Sequence, residues 1–112
     1  MPKINYRELL LKKNKEPITC LTAYSKPLAN ILDSRVDLIL IGDSLGTTLY
    51  GMKNTRNVTL EMMKNHGKAV VKNTKNSMTI VDMPYNTYRS KKEALKNSLE
   101  VLKYTKADFI KI

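Results

Sequence analysis

Leu38-Ile39-Leu40-Ile41-Gly42-Asp43 is a continuous apolar run closed by a glycine and an aspartate, and Met78-Thr79-Ile80-Val81-Asp82 repeats that pattern further along the chain. Short β-prone runs of this kind, without polar alternation, suit strands buried on both faces, as in parallel sheets. Working outward, Ile18 to Ala23 is a third such run and Phe109 to Ile112 begins a fourth. Helical patterns separate them. Ser25 and Pro27 open one with Leu28, Ile31 and Leu32 at i, i+3, i+4, and Thr59 can cap another carrying Leu60, Met63, Val70 and Val71. Ser90-Lys91-Lys92-Glu93 is a capping box ahead of Leu95, Leu99 and Leu102. Asn5 and Glu8 cap an N-terminal helix over Leu9 to Leu11, which Pro17 ends, and residues 43 to 58, with Gly46 and Gly51, read as a long loop.

Strands alternating with amphipathic helices predict an α/β fold with a parallel sheet, its strands near 18–23, 38–42, 78–82 and 108–112. Two architectures fit, a doubly wound open sheet and a (β/α)8 barrel of roughly 250 residues. An N-terminal helix followed by four strands in 112 residues matches the first half of a TIM-type barrel. Residues 1–112 are therefore expected to be the N-terminal half of a single barrel domain, interrupted at strand 4.

Composition narrows the function classes. With 42% apolar and 27% charged residues the chain is globular, and no apolar run approaches the ~20 residues of a membrane span. No signal-peptide core precedes Lys13, so a cytoplasmic location is expected, with no membrane partner. The net charge of +10 raises a nucleic-acid-binding module as one alternative. The lysines, however, are scattered (Lys12, Lys64, Lys68, Lys72, Lys91, Lys96), and with no Trp and one Phe there is little aromatic interleaving. Solvated helix faces are the preferred reading, with no nucleic acid expected. Cys20 is the only cysteine, which excludes an intrachain disulfide, and within a strand it reads as a small core hydrophobe. His66, the only histidine, sits in a helix without an evident partner and reads as a packing or interface residue.

The chemistry is expected at the carboxyl ends of the strands, where parallel α/β folds bind ligands. Asp43 and Asp82 are each the first charged residue at or after an apolar run. Carboxylate oxygens on rigid strand ends suit a hard cation such as Mg²⁺. An aspartate there also serves as a cap or turn former, and spacing alone leaves the two readings open. Ser44, between Gly42 and Gly46, offers a hydroxyl and a backbone N–H to an anion.

Taken together, Leu21-Thr22-Ala23-Tyr24, Gly42-Asp43-Ser44-Leu45-Gly46, Val58-Thr59-Leu60-Glu61-Met62 with His66, and Val81-Asp82-Met83-Pro84-Tyr85 with Tyr88 closely resemble the ketopantoate hydroxymethyltransferase family, in register from about Pro17 to Ile112. The resemblance implies that Asp43 and Asp82 hold Mg²⁺, and that Asp43, Ser44, Asp82 and Lys111 bind the keto acid. It implies transfer of a hydroxymethyl group from 5,10-methylenetetrahydrofolate to 3-methyl-2-oxobutanoate, giving 2-dehydropantoate, in a homo-oligomer. It further implies a third metal carboxylate one residue past Ile112 and a catalytic base later still, so the 112-residue chain alone is expected to be inactive and to aggregate or self-associate. The sequence departs from the family pattern at Ser25, at Lys53 to Asn57 and at Lys72-Asn73. A phosphoenolpyruvate mutase or isocitrate lyase-like enzyme, also Mg²⁺-dependent and acting on keto acids, is the alternative.

Overall fold

The computed structural model of the chain describes residues 3–112. Its strands are β1 (Cys20–Thr22), β2 (Leu38–Ile41), β3 (Met78–Asp82) and β4 (Phe109–Lys111), in the order β1-β2-β3-β4 and parallel throughout. The expected sheet is present, with β1 and β4 shorter than their apolar runs. Strands added in sequence order differ from a doubly wound sheet, whose order reverses at a switch point.

The helices are α1 (Tyr6–Lys12), α2 (Lys26–Leu32), α3 (Leu45–Thr48), α4 (Leu60–Lys72) and α5 (Lys91–Thr105). The segment 43–58, expected as loop, contains the single turn of α3 and a 3-10 turn at Thr55–Asn57. The Asn5 capping box forms as expected, with Glu8 N–H donating to Asn5 Oδ1 and Asn5 N–H to Glu8 Oε2. At Ser90 only half of the expected box forms. Glu93 N–H donates to Ser90 Oγ, but the Glu93 carboxylate reaches Arg89 instead, through the backbone N–H and a two-pronged guanidinium contact. A bidentate arginine partner is the stronger claim on a carboxylate.

Side chains alternate across the strands, and only one face of the sheet is covered. Ile39, Ile41, Thr79 and Val81 are fully buried on the helix side, where they meet Met63, Val70 and Val101. The opposite face carries Leu38, Leu40, Ile80 and Phe109, all half-buried, and Cys20 and Thr22, both exposed. Cys20 is thus not the core residue its strand position suggested, because β1 presents it to the uncovered face. Partial burial still pushes its thiol pKa up, which keeps it protonated and a poor nucleophile.

Two helix faces also differ from expectation. In α2, Ala29 is buried while Leu28 and Ile31 are exposed; in α5 the buried residues are Val101 and Thr105, with Leu95 and Leu99 exposed. Of the expected apolar stripes, Leu32 packs against the core and Leu102 is half-buried, whereas Leu28, Ile31, Leu95 and Leu99 are exposed.

The amino ends of the strands are held by aspartates. Asp37, just before β2, accepts from the backbone N–H and hydroxyl of Thr19, just before β1, and pairs with Lys12 at 2.8 Å. Asp108, just before β4, accepts from the N–H and hydroxyl of Thr79 in β3 and pairs with Lys3 at 2.7 Å. The Lys12 and Lys3 pairs, with Ile4 N–H donating to the Asn76 carbonyl at 2.9 Å, lay the N-terminal segment across this edge. Asp33, the residue after α2, accepts from the backbone N–H groups of Lys75, Asn76 and Ser77 at 2.8–2.9 Å, fixing the entry to β3.

Partial burial on its own pushes the Asp33 carboxyl upward, but these N–H donors outweigh it and hold the pKa below the usual carboxylate value. A depressed folded pKa stabilises the fold above the unfolded pKa and loses that contribution as pH falls through the folded value. Asp33→Ala is expected to destabilise the chain at pH 7 by about 1–2 kcal/mol, after discounting for solvent screening. The difference from wild type should shrink as pH is lowered below about 4. Denaturant titrations of the full-length gene product across that range measure both effects.

Candidate active site at the strand ends

Asp43, Ser44, Asp82 and Lys111 meet at the carboxyl edge of the sheet. Asp82 ends β3, Lys111 ends β4, and the two are directly paired in the register. The Lys111 ammonium bonds Asp82 Oδ1, while Asp82 Oδ2 accepts from the Asp43 backbone N–H at 3.1 Å. Asp82 is 6% exposed, so its carboxylate is nearly removed from water, whereas the Lys111 side chain remains mostly solvated. The buried charge is therefore matched by one cation and one backbone donor, as a buried carboxylate requires.

Gly42 makes this approach possible. A Cβ built there would lie 3.0 Å from Ser44 Oγ and 3.5 Å from Asp82 Oδ2, so a side chain would crowd the groups the turn brings together. Gly46 lets the following segment fold back: a Cβ there would sit 2.5 Å from Val58 Cγ2. With Leu45 fully buried beneath it, the single turn of α3 holds Asp43 and Ser44 against β3.

Asp43 is the strained member electrostatically. Partial burial first, then the neighbouring Asp82 charge, push its pKa up, against the pull of Lys111 and Thr55. Two carboxylates sharing a partly dry site, with Asp82 only partly satisfied, match the chemistry of a hard divalent cation. Such a cation takes one or two carboxylates and completes its shell with water and substrate oxygens. Among the described residues, no group of three or more His, Cys, Asp or Glu side chains that could hold a metal ion is gathered.

Residues with no assigned role in the sequence reading also border the site. The Tyr24 hydroxyl lies 2.6 Å from Ser44 Oγ. His66, expected to have no evident partner, has two: the Tyr24 carbonyl at 2.7 Å from Nδ1 and the Tyr50 hydroxyl at 2.8 Å from Nε2. Neither ring nitrogen bonds Asp43 or Asp82, in keeping with a structural reading. Lys64, one of the scattered lysines, is tied to Glu100 at 2.8 Å and Glu61 at 3.4 Å on the helical surface. No helix among the described residues is long and apolar enough to cross a membrane.

A carboxylate with a raised folded pKa costs stability once pH rises above its unfolded pKa, because the fold disfavours its charge. Asp43→Asn is therefore expected to leave the fold as stable or up to about 1 kcal/mol more stable at pH 7, discounted for screening at this partly exposed position. That gain should vanish in acid, where wild-type Asp43 is protonated. Loss of stability at neutral pH would show the carboxylate to be a structural cap. Urea midpoints at pH 7 and pH 3 distinguish the outcomes.

Comparison with known proteins agrees with this arrangement. A family profile described as ketopantoate hydroxymethyltransferase matches residues 3–112. A protein of Pelagibacter ubique named 3-methyl-2-oxobutanoate hydroxymethyltransferase is 52% identical over 101 residues, covering 90% of this chain and 39% of that protein. A protein of the same name from Anaplasma marginale is 48% identical over 109 residues, covering 97% of this chain and 39% of its own length. One from Rhizobium etli is 48% identical over 101 residues, covering 89% and 37% respectively. The chain thus spans about two-fifths of the length of the curated relatives it matches. The match extends over β1 to β4 and every residue of the strand-end cluster, and it decides between the two keto-acid enzyme readings: the chain belongs to the ketopantoate hydroxymethyltransferase family.

Proposed function

We propose that these residues form the keto-acid side of the active site of a 3-methyl-2-oxobutanoate hydroxymethyltransferase, on the first half of a (β/α)8 barrel. The observation that carries this reading is the convergence of Asp43, Asp82 and Lys111 at the carboxyl ends of adjacent parallel strands. The barrel reading is supported by the sequential strand order and by a second, apolar sheet face that α2, α4 and α5 leave uncovered. The activity is supported by the relatives, which are named 3-methyl-2-oxobutanoate hydroxymethyltransferase.

The substrate is a short anionic keto acid, 3-methyl-2-oxobutanoate, and the one-carbon donor is 5,10-methylenetetrahydrofolate. Asp43 and Asp82 would hold Mg²⁺, whose chemistry is to polarise the keto oxygen and stabilise the enolate formed when the C3 proton leaves. The Lys111 ammonium neutralises the substrate carboxylate, and the Ser44 hydroxyl donates a hydrogen bond to it. Pairing with Asp82 holds the Lys111 ammonium at the site before substrate arrives. The new carbon–carbon bond joins C3 of the keto acid to the folate methylene carbon as both its C–N bonds break. Water supplies the hydroxyl oxygen, the C3 proton and the proton from water end on the two folate nitrogens, and tetrahydrofolate leaves with 2-dehydropantoate as the other product.

The test is an assay of the full-length gene product for 2-dehydropantoate formation from the two substrates. Turnover is expected to require a divalent cation and to stop on chelation. Asp43→Ala and Asp82→Ala should each lower it by about 100-fold, as loss of a metal ligand does. Near-wild-type turnover in either variant, or turnover that survives chelation, would overturn the assigned roles.

A further inference from the structure

Behind Ser44 runs a series of hydrogen bonds that the proposed chemistry does not use. Tyr24 hydroxyl meets Ser44 Oγ at 2.6 Å, the Tyr24 carbonyl meets His66 Nδ1 at 2.7 Å, and His66 Nε2 meets the Tyr50 hydroxyl at 2.8 Å. The partners fix the directions. A carbonyl oxygen only accepts, so the imidazole proton is on Nδ1. In the neutral ring, Nε2 then accepts from Tyr50, whose ring also stands edge-on to the imidazole with centroids 5.7 Å apart. Between the two hydroxyls either can donate; the more acidic phenol favours donation from Tyr24 to Ser44 Oγ, which leaves the serine proton free to point elsewhere.

Three segments are joined in this way. Tyr24 lies just past β1, Tyr50 just past α3, and His66 in the middle of α4. Tyr24 and His66 are half-buried, and α4 packs on β2 and β3, so the imidazole is carried by a helix seated on the middle of the sheet.

We propose that Tyr24, His66 and Tyr50 are positioning residues that hold Ser44 as a hydrogen-bond donor toward an anionic ligand at the Asp82–Lys111 pair. The identity of that ligand, a short keto acid, rests on the function proposed above; the hydrogen-bonded series does not. His66 fixes the Tyr24 carbonyl, and thereby the ring whose hydroxyl meets Ser44. Tyr50 closes the series by holding the Nδ1–H tautomer. A donor already polarised by an incoming hydrogen bond is a stronger donor to a carboxylate.

The experiment uses the full-length gene product. Tyr24→Phe is expected to raise KM for 3-methyl-2-oxobutanoate roughly 3–10-fold with kcat little changed, as when a hydrogen bond from Ser44 to bound substrate is weakened. His66→Asn places an amide N–H where Nδ1–H lies and is expected to keep KM within about 2-fold of wild type, whereas His66→Leu should match Tyr24→Phe. Equal KM values for His66→Asn and His66→Leu, or an unchanged KM in Tyr24→Phe, would overturn the proposal. Ring nitrogen spectra of ¹⁵N-histidine-labelled protein give a second readout, with the His66 signals identified by their loss in His66→Asn. An Nδ1–H tautomer is expected, and an Nε2–H tautomer refutes the series whatever the activity. Absence of keto-acid turnover in the wild type would count against the proposed function, and the tautomer would still decide the positioning series.

Discussion

Everything at the carboxyl edge of the sheet depends on how the strands are pinned at the opposite edge. Asp108 grips the N–H and hydroxyl of Thr79, and its own N–H returns to the Thr79 carbonyl at 3.2 Å. Lys111 lies three residues beyond Asp108 and Asp82 three beyond Thr79, so this grip sets the Asp82–Lys111 register. The Asp37–Thr19 pair repeats the geometry between β1 and β2, again with the aspartate N–H returning to the threonine carbonyl. A slip of one residue would turn alternate side chains to the wrong face, carrying Lys111 away from Asp82. Carboxylates at the two edges therefore do different work. Those at the amino edge are saturated with donors and fix alignment, while Asp43 and Asp82 retain unused acceptor capacity.

That contrast explains how much of the molecule was legible in its sequence. The strands could be read because burial on the helix side selects Ile39, Ile41 and Val81, and the runs containing them stand out without knowledge of their neighbours. Asp43 and Asp82 stood out because charge interrupts those runs at their ends. Ser44 stood out by its place between Gly42 and Gly46, whereas Lys111 acquired meaning only through family resemblance, since a lysine at a strand end is common. What the sequence hid was set by partners distant along the chain. Tyr24 and His66 are 42 residues apart and Tyr24 and Ser44 are 20 apart, separations at which no local pattern records a contact.

The misread helix faces have a related cause. In α5 the leucines at 95 and 99 form the more hydrophobic stripe, yet Val101 and Thr105 are the residues that face inward. Close approach decides this. Gly67 of α4 comes against Thr105, where a Cβ on the glycine would be 2.9 Å from Thr105 Cγ2, and leucine is too large for such a seam. Packing between α4 and α5 outranks hydrophobicity in orienting the helix, so a reading that ranks stripes by apolar content selects the wrong one. At Cys20 the error has another origin: β1 has a neighbour on one side only among the described strands, and its residues are left open.

The order of the strands has a consequence for how such a chain acquires its shape. Each of the described strands after β1 pairs with the one immediately before it in sequence, so every closure among these four spans a single crossover connection. Loop-closure entropy rises only slowly with length, and folding is faster when contacting residues are near in sequence. During synthesis from the amino end, a newly emerged strand always meets a partner that has already left the ribosome. Assembly can then proceed vectorially, with α1 and Lys12 available to hold Asp37 before β3 has been translated.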